Sequence, residues 1–196
     1  MKMIVGVDEA GRGPIAGPVS TGVCVVLGGF RIPKSVSDVP LRDSKKLSKH
    51  GREIWFAKIK EWQKEGKLYF QVSLISENVI DKKGIVFAIN TGISRAFLKL
   101  KIKKDAEIFL DGGLRVPGEF KKQKTIIKGD EKIAVISLAS ICAKVTRDLY
   151  MEKLSKKYPE YGFEIHKGYG TRAHYASIKK YGKSKVHRKS FLKKID

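Results

Sequence analysis

The apolar runs of this chain are short, and most of them are followed by a stretch with helical spacing. Residues 3–7 and Val19–Leu27 (VSTGVCVVL) are rich in β-branched side chains, which predicts two strands paired as a hairpin. Residues 28–43 carry glycine, proline and serine and read as a loop. Ser48 is placed to cap a helix reaching about Glu65, with Ile54, Ala57, Ile59 and Trp62 as its expected buried side. Residues 67–75 predict a third strand, and Ser76 starts a further helix. Val86, Ile89, Ile93, Ala96 and Leu100 then recur at helical spacing over 85–100. Two short strands are expected at 106–110 and 124–128. A long helix follows over about 133–158, with a core stripe of Val135, Leu138, Cys142, Val145 and Leu149. Ser137, Ser140, Lys144 and Asp148 keep similar spacing on a second, polar face that could line a site. Strands and helices in this order predict an α/β layered domain whose central sheet is mixed, because it opens with an antiparallel hairpin and continues with strand-helix units.

The strand ends carry the chemistry. The first apolar run stops at Asp8-Glu9, the 106–110 run stops at Asp111 before two glycines, and the 124–128 run stops at Gly129-Asp130. Burying a carboxylate without a partner costs several kcal/mol or shifts its pKa, so acids gathered at the rim of a hydrophobic sheet imply a cation. Oxygen ligands of this kind suit Mg²⁺ or Mn²⁺, and a pair of such ions supports phosphodiester cleavage. Each acid also has a plainer reading. Asp130 fits a helix N-cap and Asp111 a turn residue. Glu9 has to overcome the alternation of a strand, which aims neighbours at opposite faces. Next to the first pair stands Gly11-Arg12-Gly13, where two residues without Cβ allow close main-chain approach and the arginine is a ready phosphate ligand.

Charge narrows the partner. The 196 residues contain 41 lysines and arginines against 20 acids, a net charge of +21, so a polyanion is expected and nucleic acid leads. No apolar run approaches the ~18 residues of a membrane span, no lipidation signal is present, and the start of the chain does not resemble a signal peptide. A cytoplasmic monomer of one domain, 1–196, is the expectation. Residues 159–196 form a basic, helical C-terminal segment with a helix over about 173–181. From His166 onward it carries ten lysines and arginines and one acid, interleaved with tyrosines. Cys24 and Cys142 read as reduced core residues, and His166, His174 and His187 as turn or phosphate-adjacent residues.

Taken together, VDEAGRGPIAGP, DSKKL, FLDG, IIKGD, ASICAKVTRD, HKGYGT and HRKSF resemble, in order and over nearly the whole chain, the bacterial ribonuclease HII family. The resemblance implies the ribonuclease H-like fold, a five-stranded mixed sheet flanked by helices with a helical C-terminal part. It implies two-metal endonucleolytic cleavage, with Mg²⁺ or Mn²⁺, on the 5′ side of a ribonucleotide in a DNA duplex or an RNA–DNA hybrid, leaving a 3′-hydroxyl and a 5′-phosphate. Removal of misincorporated ribonucleotides and of RNA primers is the implied role. The family's metal-binding acids fall on Asp8, Glu9, Asp111 and Asp130. Its detector of the ribose 2′-hydroxyl falls on Gly11, Arg12 and Gly13, and its stacking tyrosine on Tyr169, with flanking glycines to leave room for the substrate. Ser44 and Lys45 match phosphate contacts, and Lys144 and Asp148 a polar helix face that serves as structural support or as a contact, with Lys144 counted among the nucleic-acid-binding residues. Two other readings stand beside it: a nucleic-acid-binding protein without catalysis, and another ribonuclease H-like enzyme such as ribonuclease HIII. Gly113, Leu138 and Arg42 depart from the commoner pattern. A sliding clamp is a conceivable partner, although residues 191–196 carry no clear clamp motif.

Overall fold

In the computed structural model, residues 2–193 are described. Strands β1 (Met3–Ala10) and β2 (Val19–Leu27) form the hairpin that the β-branched runs predict. A two-residue pair, β3 (Ser35–Val36) and β4 (Val39–Pro40), lies within the following loop. Helix α1 (Lys49–Lys64) starts at Ser48, whose hydroxyl accepts from Gly51 N–H at 3.0 Å. Strand β5 (Leu68–Ile75) and helices α2 (Glu77–Lys83) and α3 (Ile85–Leu100) come next. After β6 (Glu107–Asp111) and β7 (Gln123–Ile126), a single turn α4 (Gly129–Lys132) precedes the long α5 (Ala134–Ser155). Helices α6 (Phe163–His166) and α7 (Arg172–Tyr181) complete the C-terminal part.

The main sheet has the order β5-β2-β1-β6-β7; the first three strands are antiparallel and β1, β6 and β7 run parallel. The mixed sheet expected from the element order is therefore present. Val5, Val7, Val23, Val25, Ile108 and Leu110 face α3 on one side. Cys24, Val26 and Phe109 face α1 and α5 on the other. Gly6 and Gly22 let α5 come unusually near: a Cβ at Gly6 would stand 2.2 Å from Val135 O, and one at Gly22 2.3 Å from Ala139 O. A third core of Ile15, Ala16, Met151, Leu154, Tyr161, Phe163, Ile178, Val186 and Leu192 fastens the C-terminal part to the end of α5. No helix among the described residues is long and apolar enough to cross a membrane.

Several sequence expectations need correction. The buried stripe of α1 is Gly51, Trp55, Ile59 and Trp62, while Ile54 is only partly covered and Ala57 is exposed. Trp55 wins the inward position because both tryptophans and Ile59 then lie on one face, where the two indoles meet edge to face at 6.2 Å. Val86 and Leu149 are exposed. The last strand ends at Ile126, and Asp130 sits in the first turn of α4 and not at a strand end. The polar positions Ser137 and Ser140 on α5 are buried, because that helix is covered by the sheet, α1 and the C-terminal part. His174 lies on α7 and His187 closes a turn on Ser184 O, but neither is phosphate-adjacent: both are fully buried, with their Nε2 atoms 3.0 Å apart. Cys24 and Cys142 are buried free thiols, as expected.

Candidate active site

Strand register builds the first part of the site. Val7 pairs with Leu110 across the parallel β1–β6 ladder, so Asp8 and Asp111 leave adjacent strands side by side. Both share the parity of the residues that face α5, namely Gly6 on β1 and Phe109 on β6. The turn into α4 supplies the third acid. Gly129 N–H donates to Asp111 Oδ1 at 2.7 Å, which docks that turn against β6 and brings in Asp130. Ligand oxygens of Asp8, Asp111 and Asp130 all lie within 4.8 Å of one another.

Glu9 does not join that group. Strand β1 continues to Ala10, so Glu9 keeps the parity of Val5 and Val7, and its carboxylate takes Arg12 Nη1 at 3.1 Å. Burial and Asp111 still raise its pKa against the opposing pull of Arg12. Asp8 is pushed well above the usual carboxylate range by burial first and by the Glu9 and Asp111 charges after it. Ser140 and the Glu9 N–H, 2.7 Å from Asp8 Oδ1, work the other way. Asp130 rises to about 6, through burial and then through Asp43 and Asp111.

An all-oxygen set, partly buried and self-repelling, fits a hard divalent cation: a neutral ligand gains nothing from it, whereas a doubly charged ion relieves every one of these upward shifts. The donor chemistry therefore agrees with Mg²⁺ or Mn²⁺.

Asp43 is a site residue that the strand-end argument missed. It is buried, accepts from Lys45 N–H at 2.9 Å and adjoins Asp130. Its position in DSKKL carries no local strand-end signal, because a loop brings it in from far away in the sequence. Lys45 beside it is exposed; burial works against its charge, but Asp43, Asp8, Asp130 and Asp111 outweigh that and hold it more firmly protonated. Ser44 is enclosed, its hydroxyl 2.8 Å from that of Ser140. That places it behind Asp8 and not on the open surface. Lys144 is half-buried with Nζ 2.7 Å from Asp148 Oδ1, and burial lowers its pKa despite this partner. The pair joins successive turns of α5.

The glycine-arginine-glycine loop opens beside the acids. Gly11 has φ +87°, and a Cβ there would lie 2.0 Å from Arg147 Nε. Arg12 and Gly13 are exposed. A Cβ on Gly13 would meet only the ring of Tyr169, at 3.9 Å, so the exposed tyrosine stands next to the loop. The glycines flanking Tyr169 serve the protein's own packing and do not simply leave room for substrate. A Cβ at Gly168 would strike Ala16 O at 2.6 Å, and one at Gly170 the Tyr175 hydroxyl at 2.7 Å.

The sequence pattern of the family described as Ribonuclease HII matches residues 5–194 of this chain. The chain belongs to the ribonuclease HII family. It is 44% identical over 188 residues to the ribonuclease HII of Endomicrobium trichonymphae, covering 96% of this chain and 84% of that protein. Against the ribonuclease HII of Caldicellulosiruptor bescii it is 45% identical over 195 residues, covering 99% and 88%. Among solved structures, the ribonuclease H2 of Pyrococcus horikoshii superposes with a TM-score of 0.65 at 29% identity, covering 98% of this chain and 96% of that one. The ribonuclease HII of Archaeoglobus fulgidus, solved in complex with PCNA, gives 0.71 at 24% identity, covering 95% and 93%. These neighbours establish the ribonuclease H-like fold that the sequence implied. The PCNA contact is a property of that protein. In this chain the segment 191–196, which carries no clear clamp motif, runs past the described residues at 194–196.

Proposed function

We propose that this family member is a metal-dependent endoribonuclease that cuts on the 5′ side of a ribonucleotide, within an RNA–DNA hybrid or singly embedded in a DNA duplex, leaving a 3′-hydroxyl and a 5′-phosphate. The observation that carries this reading is the meeting of Asp8, Asp111 and Asp130 within 4.8 Å beside a Gly-Arg-Gly loop whose Arg12 and Gly13 are exposed. Asp8, Asp111 and Asp130 would hold Mg²⁺ or Mn²⁺, with Glu9 and Asp43 at the border of the group. Two such ions, when bound, supply the Lewis acidity and positive charge that phosphodiester hydrolysis requires.

The chain's own residues do the recognition. Main-chain groups of Gly11, Arg12 and Gly13 are read as the detector of the 2′-hydroxyl, the one group that distinguishes a ribonucleotide from its deoxy counterpart. Tyr169, exposed alongside, is read as the residue that stacks on the neighbouring deoxyribose. Lys45 offers a phosphate a cation already at the edge of the acids. The net charge of +21 draws the duplex in without regard to sequence. A protein that only bound nucleic acid would gain nothing from buried acids aimed at its phosphates. The working form is read as a monomer acting in the cytoplasm.

A labelled DNA duplex with one ribonucleotide tests the proposal. With Mg²⁺ or Mn²⁺ a single cut 5′ to that nucleotide is expected, abolished by EDTA and by Asp111→Asn. Tight binding with no cut would favour the purely binding alternative.

A further inference from the structure

We infer that Arg188 is a positioning residue that holds the 11–13 loop in the geometry needed to distinguish a ribonucleotide from a deoxyribonucleotide. The inference rests on reading that loop as the 2′-hydroxyl detector. Arg188 is fully buried, and its guanidinium is committed to main-chain carbonyls. Nη2 donates to Gly11 O at 2.7 Å, Nη1 to Arg12 O at 3.0 Å and Nε to Gly17 O at 2.9 Å. Its own main chain is fixed as well: Arg188 N–H donates to Ile15 O at 2.8 Å, and Gly17 N–H to Val186 O at 2.8 Å. Residues 186–188 thus run along residues 15–17, with a bridge between Ala16 and His187.

The consequence follows from the planarity of the peptide. In a trans peptide the C=O and the N–H of the next residue point in opposite directions, and no peptide of the described chain is cis. Drawing Gly11 O and Arg12 O inward onto one guanidinium therefore turns the N–H groups of Arg12 and Gly13 away from it, on the exposed side of the loop. A guanidinium is a rigid planar fork, so it fixes these carbonyls relative to one another; an ammonium on a flexible stem carries the charge without that geometry. Arg147 closes the loop from the other side, donating to Pro18 O, Ala16 O and Lys167 O. Outside the buried pocket, Asp81 on α2 accepts from Lys189 N–H and Ser190 N–H, each at 2.9 Å, and so anchors the chain immediately after Arg188.

The test uses two readouts on the full-length enzyme. One is kcat/KM on a duplex with a single ribonucleotide. The other is the inhibition constant of the same duplex made wholly of DNA, which reports the grip that owes nothing to the 2′-hydroxyl. For Arg188→Lys we expect kcat/KM to fall by about 30-fold, in the range seen when a supporting hydrogen bond behind a site is lost. The all-DNA inhibition constant should stay within about twofold, since overall charge is retained. Asp81→Ala, which leaves the buried guanidinium in place, should move the same ratio in the same direction by about threefold, and it alone decides if Arg188→Lys does not fold. A folded Arg188→Lys enzyme with wild-type kcat/KM overturns the inference, as does a parallel loss in both readouts. A wild-type enzyme indifferent to the 2′-hydroxyl would instead remove the reading on which the inference is built.

Discussion

Asp8 lies 4% exposed between two acidic neighbours, and it keeps its place through one main-chain N–H and the Ser140 hydroxyl. Its raised pKa means that the ionised form is disfavoured in the folded, metal-free protein. At neutral pH the site therefore weakens the fold until a cation occupies it. Asp8→Asn keeps an oxygen for the Glu9 N–H and removes one repelling charge. In EDTA this variant should melt about 2–4 °C above wild type, the shift that roughly 1 kcal/mol produces in a chain of this size. It should also lose catalysis by roughly 10²-fold or more, beyond the usual cost of a supporting residue. A metal-free variant melting below wild type would show that Asp8 is stabilised by something other than a cation. Adding Mn²⁺ gives the complementary measurement. Wild type should gain melting temperature as the metal concentration rises past its Kd, and Asp111→Asn should gain far less, because only binding to the folded state shifts that equilibrium. Asp8 and Asp111 were legible because each closes an apolar run, and Asp130 because it follows the next such run closely, although it stands in the first turn of α4. Asp43, Arg147 and Arg188 were not: Arg188 bonds partners 171–177 positions away, and no local pattern marks such a contact.

Helix α5 is the element from which the site is hung. It presents Ser140 to Asp8 and Ser137 to the α4 turn, where the Ser137 hydroxyl donates to Asp130 O at 2.6 Å. It can do so only because β1 and β2 offer it glycine. Gly6→Ala would place a methyl 2.2 Å from Val135 O, a main-chain atom in the first turn of the helix that cannot rotate away. Destabilisation of about 3 kcal/mol is expected, at the upper end for overpacking, measurable as a lower urea midpoint with unchanged slope. The folded fraction should also lose activity, since the helix must move off the sheet that carries Asp8. A loss under ~0.5 kcal/mol, the scale of a surface change, would mean that α5 does not sit as closely as described. The strands were legible from their β-branched runs and the helices from their spacing. Which side of each helix turned inward was less so. Apolar residues occupy 54–57 of α1 without a break, and α5 is enclosed on several sides, so periodicity alone picks no single face there.

At the scale of the whole molecule, two separate groups of titratable side chains give the fold opposite responses to acid. In the C-terminal part, Ser184 N–H donates to His187 Nδ1 at 2.9 Å, so His187 carries its proton on Nε2 and donates to His174 Nε2; His174 Nδ1 in turn donates to Tyr169 O at 2.9 Å. Both rings are neutral in this chain, and burial pushes each down to about 4. An unfolded histidine titrates near ~6.5. Between those values the unfolded chain binds more protons, so this contribution to stability is complete above about 6.5 and is lost as the pH falls toward 4. Asp130 has the reverse sign. Raised to about 6 from an ordinary 3.8, it takes up its proton first in the folded state, so metal-free stability gains as the pH falls through 6. In EDTA the two trends oppose one another, and wild type should lose melting temperature only gradually from about pH 7.5 to about 4.5. Asp130→Asn removes the acid's part and should fall more steeply over the same interval. His187→Gln removes part of the histidine contribution and should flatten the profile. Parallel profiles for all three proteins would show that neither group governs the acid response, and that the buried histidines do not bind the C-terminal part to Tyr169 in the way their hydrogen bonds indicate.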